Sequence, residues 1–571
     1  MSTSIDSSHQ SRCREIVTSS ELTPAQKRHF LALEAENHLP YPDLPAEARA
    51  ALEEGTICDM FEGHAPYKPR YVLPDYAKFL AQGSQWLELE GATDLDDALS
   101  MLTILYHHVP SVTSMPVYLG QLDAILQPYV RILTQEEIDI RIKRFWRYLD
   151  RTLPDAFMHA NIGPADTPIT RAILRADAEL KQVAPNLTFI YDPDITPDDL
   201  LLEVAKNICE CSKPHIANGP VNDKIFTKSG YGVVSCYNSL PLAGGGSTLV
   251  RLNLQQVAQR SESVDDFFTN VLPRYCQLQI DIIDARCRFL YEQSHFFENS
   301  FLVSEGLINP DRFVPMFGIY SLAEAVNLLC EREGIAGRYG KDEQANQLAY
   351  RISAELANFV ARTPVQYGWQ QRALLHAQSG ISSDIGTTPG ARLPYGDEPD
   401  PISHLLAVAP HHAHYTAGIS DILTLDETVK RNPQAVMQLC LGAFKVGMRE
   451  FSANVSGNDL VRVTGYMVRL SDLQKYRDEG SRTNTTWLGE EAARNTRILE
   501  RQPRVVSHEQ QMRIRQSNHP VPLRRLARQP PRPDPPTVQP ALQDPPYPLV
   551  DSVHQPLRSG GAAVTAPRPL L

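Results

Sequence analysis

Apolar residues recur at three-to-four spacing in "TPAQKRHFLALEAENH", "DLDDALSMLTILYHHV" and "TQEEIDIRIKRFWRYLDRTL". That period lays one apolar stripe along a helix, and the threonine or aspartate ahead of each stripe is a helix-start signal. The stretch 21–160 therefore reads as largely helical, behind a polar N-terminus, residues 1–20, read as flexible. From 165 to 260 the period shortens and lengthens in turn. "NLTFIYD" reads as a strand, "TPDDLLLEVAKNICEC" as a helix, "GYGVVSCYNS" as a strand or loop, and "STLVRLNL" as a strand. Such alternation predicts an α/β arrangement.

Residues 263–300 read as one long helix, and 322–333 and 342–361 as two more. "GISSDIGTTPGARLPYGDEPDP" is a long glycine- and proline-rich loop, a kind that is functional or disordered in compact domains. "VKRNPQAVMQLCLGAFKVGM" is helical again. It is followed by "LVRVTGYMVRL", a strand-like run with a glycine in its middle. Of the 52 residues from Pro520 to Leu571, 14 are proline and no period survives, so 519–571 reads as a disordered tail. A single large domain, 21–518, is left between the two ends.

The chain has 571 residues, 42% hydrophobic and 21% charged, with a net charge of −12. This suits a soluble protein with a large core and gives no footing for nucleic acid or an anionic membrane. No secretory leader and no membrane span are read in it. Nine scattered cysteines, an odd number without framework spacing, predict reduced thiols and a cytoplasmic address.

The glycine in "LVRVTGYMVRL" needs a reason, because glycine weakens a strand and packs nothing. One reason is a bulge. The other is chemical. Loss of an α-hydrogen from glycine leaves a carbon radical shared with the flanking amides, and no side chain hinders its planarity. Such a radical can regenerate a cysteine thiyl, which takes hydrogen from an unactivated carbon in a dry site. Gly465 is the candidate radical residue, and Cys236, at the end of an apolar run 229 positions earlier, is the candidate thiyl.

"RVTGY", with Arg462, Val463, Gly465 and Tyr466, resembles the RVxGY signature of glycyl radical enzymes. "PNLTFIYDPDITPDDLLLEVAKNI" and "KPHIANGPVNDKIF" resemble the segment ahead of the cysteine loop in that superfamily. From about residue 20 to 515 the chain resembles the YjjI family of these enzymes. The resemblance implies a ten-stranded α/β barrel of two antiparallel five-stranded half-barrels surrounded by helices. A cysteine loop around 236 and a glycine segment, 440–480, would meet inside. It also implies an oxygen-sensitive enzyme with no permanently bound cofactor. A separate activating enzyme, using S-adenosylmethionine and a four-iron cluster, would install the radical on Gly465. Homodimers are common in the superfamily.

Departures narrow the chemistry. Pyruvate formate-lyase relatives use two adjacent cysteines, whereas Ser235 and Tyr237 flank Cys236. Diol dehydratase relatives carry a glutamate base two residues after the cysteine; here that position is Asn238, which cannot take a proton. "GTTPGARLPYGDEPDP" and "HAHYTAGISDI" resemble stretches of anaerobic ribonucleotide reductases, but the four-cysteine zinc site of that family is missing. The resemblance to the superfamily implies a hydroxylated small metabolite as the substrate. The alternatives are a ribonucleotide-reductase-like enzyme and a radical-incompetent relative that binds a metabolite or a partner.

Tyr237, Asn238, His411, His412 and His414 are candidates to face that substrate. "PHHAHY" lacks the carboxylate or cysteine spacing of a metal site, so no metal is expected there. "CEC", Cys209–Cys211, reads as packing, and "AGGGS" as a flexible hinge beside the cysteine loop rather than a phosphate cradle. Arg462 and Arg469 flank Gly465 as solvated strand charges or as anchors of its loop.

Overall fold

A computed structural model describes residues 7–20, 22–59, 63–110, 117–153, 158–227, 230–235, 237–377, 384, 386–394, 396–419, 421–463 and 467–479. All of them fall within the compact unit Met1–Val506. Cys236, Gly465, Tyr466 and the proline-rich tail lie outside the described residues. No helix among the described residues is long and apolar enough to cross a membrane.

The strands in chain order are β1 (Ile57–Cys58), β2 (Tyr71–Leu73), β3 (Tyr118–Gln121), β4 (His159–Ile162), β5 (Asn186–Tyr191), β6 (His215–Asn218), β7 (Tyr231–Val234) and β8 (Asn238–Pro241). Then come β9 (Gly244–Asn253), β10 (Phe313–Tyr320), β11 (Leu374–Ala377), β12 (Ile422–Leu425), β13 (Glu450–Val455), β14 (Leu460–Arg462) and β15 (Met467–Arg469). One sheet of five strands runs β1-β9-β10-β11, with β2 also on β9. The other, of six, runs β12-β13-β6-β5-β4-β3. The resemblance implies a ten-stranded barrel of two antiparallel five-stranded halves; the described residues form instead two separate sheets, of five and six strands with many parallel pairs, and no continuous ladder among them closes a barrel. A single parallel bridge, Ala377 to Ile419, leaves the edge of the five-stranded sheet.

The β/α alternation read from 165 to 260 is present. β4, β5 and β6 are parallel neighbours. The helices Pro168–Leu180 and Asp198–Cys211 make the crossovers between them. β9, β10 and β11 are also parallel, and β9 and β10 are buried along their whole length. Parallel strands covered on both faces are expected to be buried in this way.

Four differences from the sequence reading have local causes. The stretch 21–160 is not only helical: β1 to β3 and the start of β4 fall in it. Their runs of two to four residues are too short to carry a period. Within the polar N-terminus, Ser7–Thr18 forms a helix. The long helix expected over 263–300 is one α-helix only from Leu272 to Glu292, behind a π-turn at Phe267–Val271, and His295 in a left-handed conformation breaks it. Gly244–Gly246 is part of β9 and not a hinge: a Cβ on Gly245 would fall 1.9 Å from the Tyr71 carbonyl oxygen of β2. The glycines let β2 lie against β9.

Candidate functional site

"YGVVSCYNSLP" folds as an antiparallel hairpin, with β7 and β8 paired from Tyr231↔Pro241 to Val234↔Asn238. Ser235, just after β7, and Tyr237, just before β8, have positive φ and are fully buried. In "LVRVTGYMVRL", Leu460–Arg462 and Met467–Arg469 pair antiparallel as a second hairpin, with Arg462 opposite Met467. The single strand run suggested by its apolar pattern is thus two strands with the glycine between them.

Each hairpin is held by an asparagine that imitates a strand. The Asn161 amide donates to the Val233 carbonyl at 2.8 Å and accepts from the Val233 N–H at 2.8 Å. The Asn454 amide does the same to Arg462, again at 2.8 Å in both directions. A side-chain amide offers the same donor–acceptor pair as a peptide, so it can satisfy backbone that a sheet does not reach.

These asparagines belong to a polar face on otherwise buried strands. His159 and Asn161 alternate on β4, Asn186 and Thr188 on β5, and Glu450, Ser452 and Asn454 on β13, all of them buried. The His159 Nδ1–H donates to the Ser235 carbonyl at 3.1 Å, and His159 Nε2 lies 2.7 Å from Thr188 Oγ1. Thr188 Oγ1 is 3.2 Å from His215 Nδ1 on β6. The His215 ring stacks on Tyr237, centroids 3.6 Å apart and 18° from parallel.

The same face receives the glycine hairpin. Arg462 is buried, donates to Asn186 Oδ1 at 3.2 Å, and carries its guanidinium carbon 5.2 Å from the centre of the Tyr237 ring. The residue three positions before Gly465 therefore meets the residue just after Cys236. Burial pushes His159 down to about 3, and the Arg462 charge acts in the same direction. Burial also holds His215 well below the usual imidazole range, again helped by Arg462. Both rings are neutral at physiological pH.

Glu450 closes the other side of the cysteine hairpin. Its carboxyl accepts from the Ile419 N–H at 2.9 Å and from the Ser239 hydroxyl at 3.5 Å. Burial pushes its pKa up to about 7, against the pull of the neighbouring Arg449 charge and these two hydrogen bonds. Gly418 permits this approach, since a Cβ there would fall 2.0 Å from the Tyr237 carbonyl oxygen.

The chain matches the family model "Glycyl radical enzyme YjjI-like" over residues 22–504. It belongs to that family. The protein YjjI of Escherichia coli K12 is 85% identical over 516 residues, covering 90% of this chain and all of that protein. A protein of Haemophilus influenzae is 39% identical over 500 residues, covering 86% of this chain and 96% of its own. Solved structures share the fold at low identity. Hydroxyproline dehydratase from Clostridioides difficile has a TM-score of 0.63 at 11% identity, over 84% of this chain and 88% of its own. The B12-independent glycerol dehydratase of Clostridium butyricum has 0.62 at 12%, over 77% and 81%. The anaerobic ribonucleotide reductase of Thermotoga maritima has 0.62 at 12%, over 82% and 93%.

In this YjjI-like chain the other candidates divide. Tyr237 is at the junction described above. Asn238 turns back into its own hairpin, donating to the Val234 carbonyl at 3.1 Å and to the Tyr71 hydroxyl at 3.3 Å. His412 Nδ1 accepts from the Arg449 N–H at 3.1 Å, next to Glu450. His411 and His414 go elsewhere: His411 Nδ1 is 2.8 Å from Ser353 Oγ on the helix Glu343–Arg362, and the ring of His414 packs on Tyr350 of that helix. Arg469 is partly exposed, donates to backbone carbonyls at the end of the helix Pro168–Leu180, and faces Asp459 and Asp472. Val463 is buried, and Cys209 and Cys211 pack in the core.

His159, Thr188, His215, Arg449 and Glu450 escaped the sequence reading. The available signal was alternation: polar residues at every second position of "HANI", "NLTFIY" and "EFSANV", in a stretch where buried parallel strands are expected to be apolar throughout.

Proposed function

We propose that this protein stores a radical on Gly465, passes it to Cys236, and uses the Cys236 thiyl to abstract hydrogen from a small hydroxylated metabolite. The observation that carries the reading is the contact of Arg462 with Tyr237, which joins the hairpin that contains Gly465 to the hairpin that contains Cys236. A buried, mostly neutral polar surface around that contact excludes water from the radical path and leaves donors and acceptors for a polar substrate. Ten of the eleven strands in the two sheets would form the ten-stranded barrel of the superfamily, with Cys236 and Gly465 inside it. Arg462 and Val463 support the radical segment, together with Tyr466. Tyr237, Asn238 and His412 line the substrate side; His411 and His414 support the loop that carries His412. The radical is installed by a separate enzyme that uses S-adenosylmethionine and an iron–sulfur cluster. The working form is a cytoplasmic homodimer.

The test is electron paramagnetic resonance after anaerobic incubation with an activating enzyme proven on another target, S-adenosylmethionine and a reductant. A doublet from a carbon radical coupled to one α-hydrogen is expected, and Gly465→Ala removes it. Silence in the wild-type chain refutes radical storage and favours a binding role. The fold is shared with dehydratases and with a ribonucleotide reductase, so the activated protein is then assayed on polyols, hydroxylated amino acids and ribonucleoside triphosphates.

A further inference from the structure

The hydrogen-bond chain from Ser235 to His215 fixes every proton along it. A backbone carbonyl only accepts, so His159 Nδ1 carries the proton that reaches Ser235. His159 is neutral, so its Nε2 holds a lone pair and accepts the Thr188 hydroxyl hydrogen. Thr188 Oγ1 has then spent its only proton and must accept from His215 Nδ1–H. His215 is a neutral ring with that proton on Nδ1, so its Nε2 is a lone pair.

That lone pair has no hydrogen-bond partner among the described residues, although His215 is 0% exposed. An acceptor buried without a partner costs about 1–3 kcal/mol. The ring is clamped by Thr188 on one edge and by Tyr237 on one face, and the free edge is the acceptor. His412 presents the opposite polarity nearby. Its Nδ1 accepts from the Arg449 N–H, so its proton is on Nε2, which is also buried and without a partner.

We propose that His215 is a substrate-binding residue whose Nε2 accepts a hydrogen bond from a hydroxyl of a small alcohol or polyol beside Tyr237. This rests on the reading of Cys236 as the reacting thiol. It supplies part of what Asn238 cannot. A hydroxyl that donates to a lone pair has a more electron-rich oxygen, and that oxygen stabilises a radical on the carbon that bears it. The ring accepts a hydrogen bond and does not take the proton, because the same burial that keeps it neutral disfavours the imidazolium. A cationic ammonium donor is disfavoured by the Arg462 guanidinium, which acts on the same ring. A neutral hydroxyl is the donor that fits.

The experiment uses the full, unactivated chain labelled with nitrogen-15 at histidine, and the His215 signals are assigned by their loss in His215→Gln. His215 Nε2 is expected to stay unprotonated across about pH 5 to 8, where an unperturbed histidine titrates. Adding 1,2-propanediol is expected to shift it, and 1,2-dimethoxypropane, which has no donor, is expected not to. His215→Phe keeps the stacking and is expected to weaken diol binding about tenfold, the cost of one buried hydrogen bond. His215→Gln, whose amide oxygen can accept, is expected to retain most of it. A proton on Nε2, a resonance that the diol does not move, or equal shifts with diol and ether would overturn the proposal. The radical doublet is measured in the same variants. Its presence there with unchanged diol binding refutes only the His215 role, whereas its absence in the wild-type chain refutes only the radical reading.

Discussion

Arg462 lies over the ring of Tyr237, its guanidinium carbon 5.2 Å from the ring centre, and the two residues are 225 positions apart in the chain. Both are buried, and His215 stacks on the same ring. A desolvated cation–π contact is worth about 2 kcal/mol, and the Arg462 hydrogen bond to Asn186 adds to it. Arg462→Met keeps the volume and removes both. The expected outcome is a loss of about 2–4 kcal/mol in urea unfolding, with the far-ultraviolet circular dichroism of the folded state unchanged. Arg462→Lys recovers only part of this, because an ammonium cannot reproduce a planar guanidinium.

Asn454 is the clamp that holds β14 to β13. Asn454→Asp keeps the acceptor for the Arg462 N–H but replaces the donor to the Arg462 carbonyl with a second oxygen. Hydrogen-exchange mass spectrometry is expected to show faster exchange in the peptide 460–469 than in β5 or β9, since the loss is local. A uniform rise over the whole chain would mean that the clamp is part of the global core.

Cys236→Ser separates storage from use. With the activating enzyme present, the variant is expected to give the same radical doublet as the wild-type chain and no turnover of any substrate found in the screen. Normal turnover by the serine variant would rule out the thiyl, because a hydroxyl hydrogen is too strongly bound for the glycyl radical to remove.

Glu450 makes stability depend on pH in an unusual direction. Its pKa is raised from the usual 4.5 to about 7 in the folded state, so between these values the folded chain binds more protons than the unfolded one. This contribution is present below about pH 4.5 and is lost as pH rises through 7. A rise of this size corresponds to about 3 kcal/mol. Asp123, buried and also pushed up to about 7, acts in the same sense. Glu450→Gln is expected to flatten the decline in stability measured by urea unfolding from pH 5 to 8 by about that amount. An unchanged slope would mean that Glu450 stays ionised against Arg449.

Much of this protein was legible one segment at a time. Helical period placed Pro24–His38, Leu95–Tyr106, Gln135–Thr152 and Glu343–Arg362 close to their observed ends, because an apolar stripe and its cap are local features. "RVTGY" pointed to the family because it is a contiguous signature, and the family model matches residues 22–504. The short strands β1 to β3 were not legible, since two to four buried residues have no period to read.

What the sequence alone supplied is the set of candidates: a glycine in a strand-like run, a cysteine after an apolar run, and an asparagine two positions after that cysteine. The tertiary structure decided which distant residues serve them. It brought Arg462 to Tyr237, made His215 an acceptor through a proton order that begins at the Ser235 carbonyl, and put Glu450 against Ser239. It also separated His412 from His411 and His414, which the sequence had left as one cluster. The physical reason is that proton positions and burial belong to packed neighbours on different strands. No spacing along one chain records which strand will lie beside which.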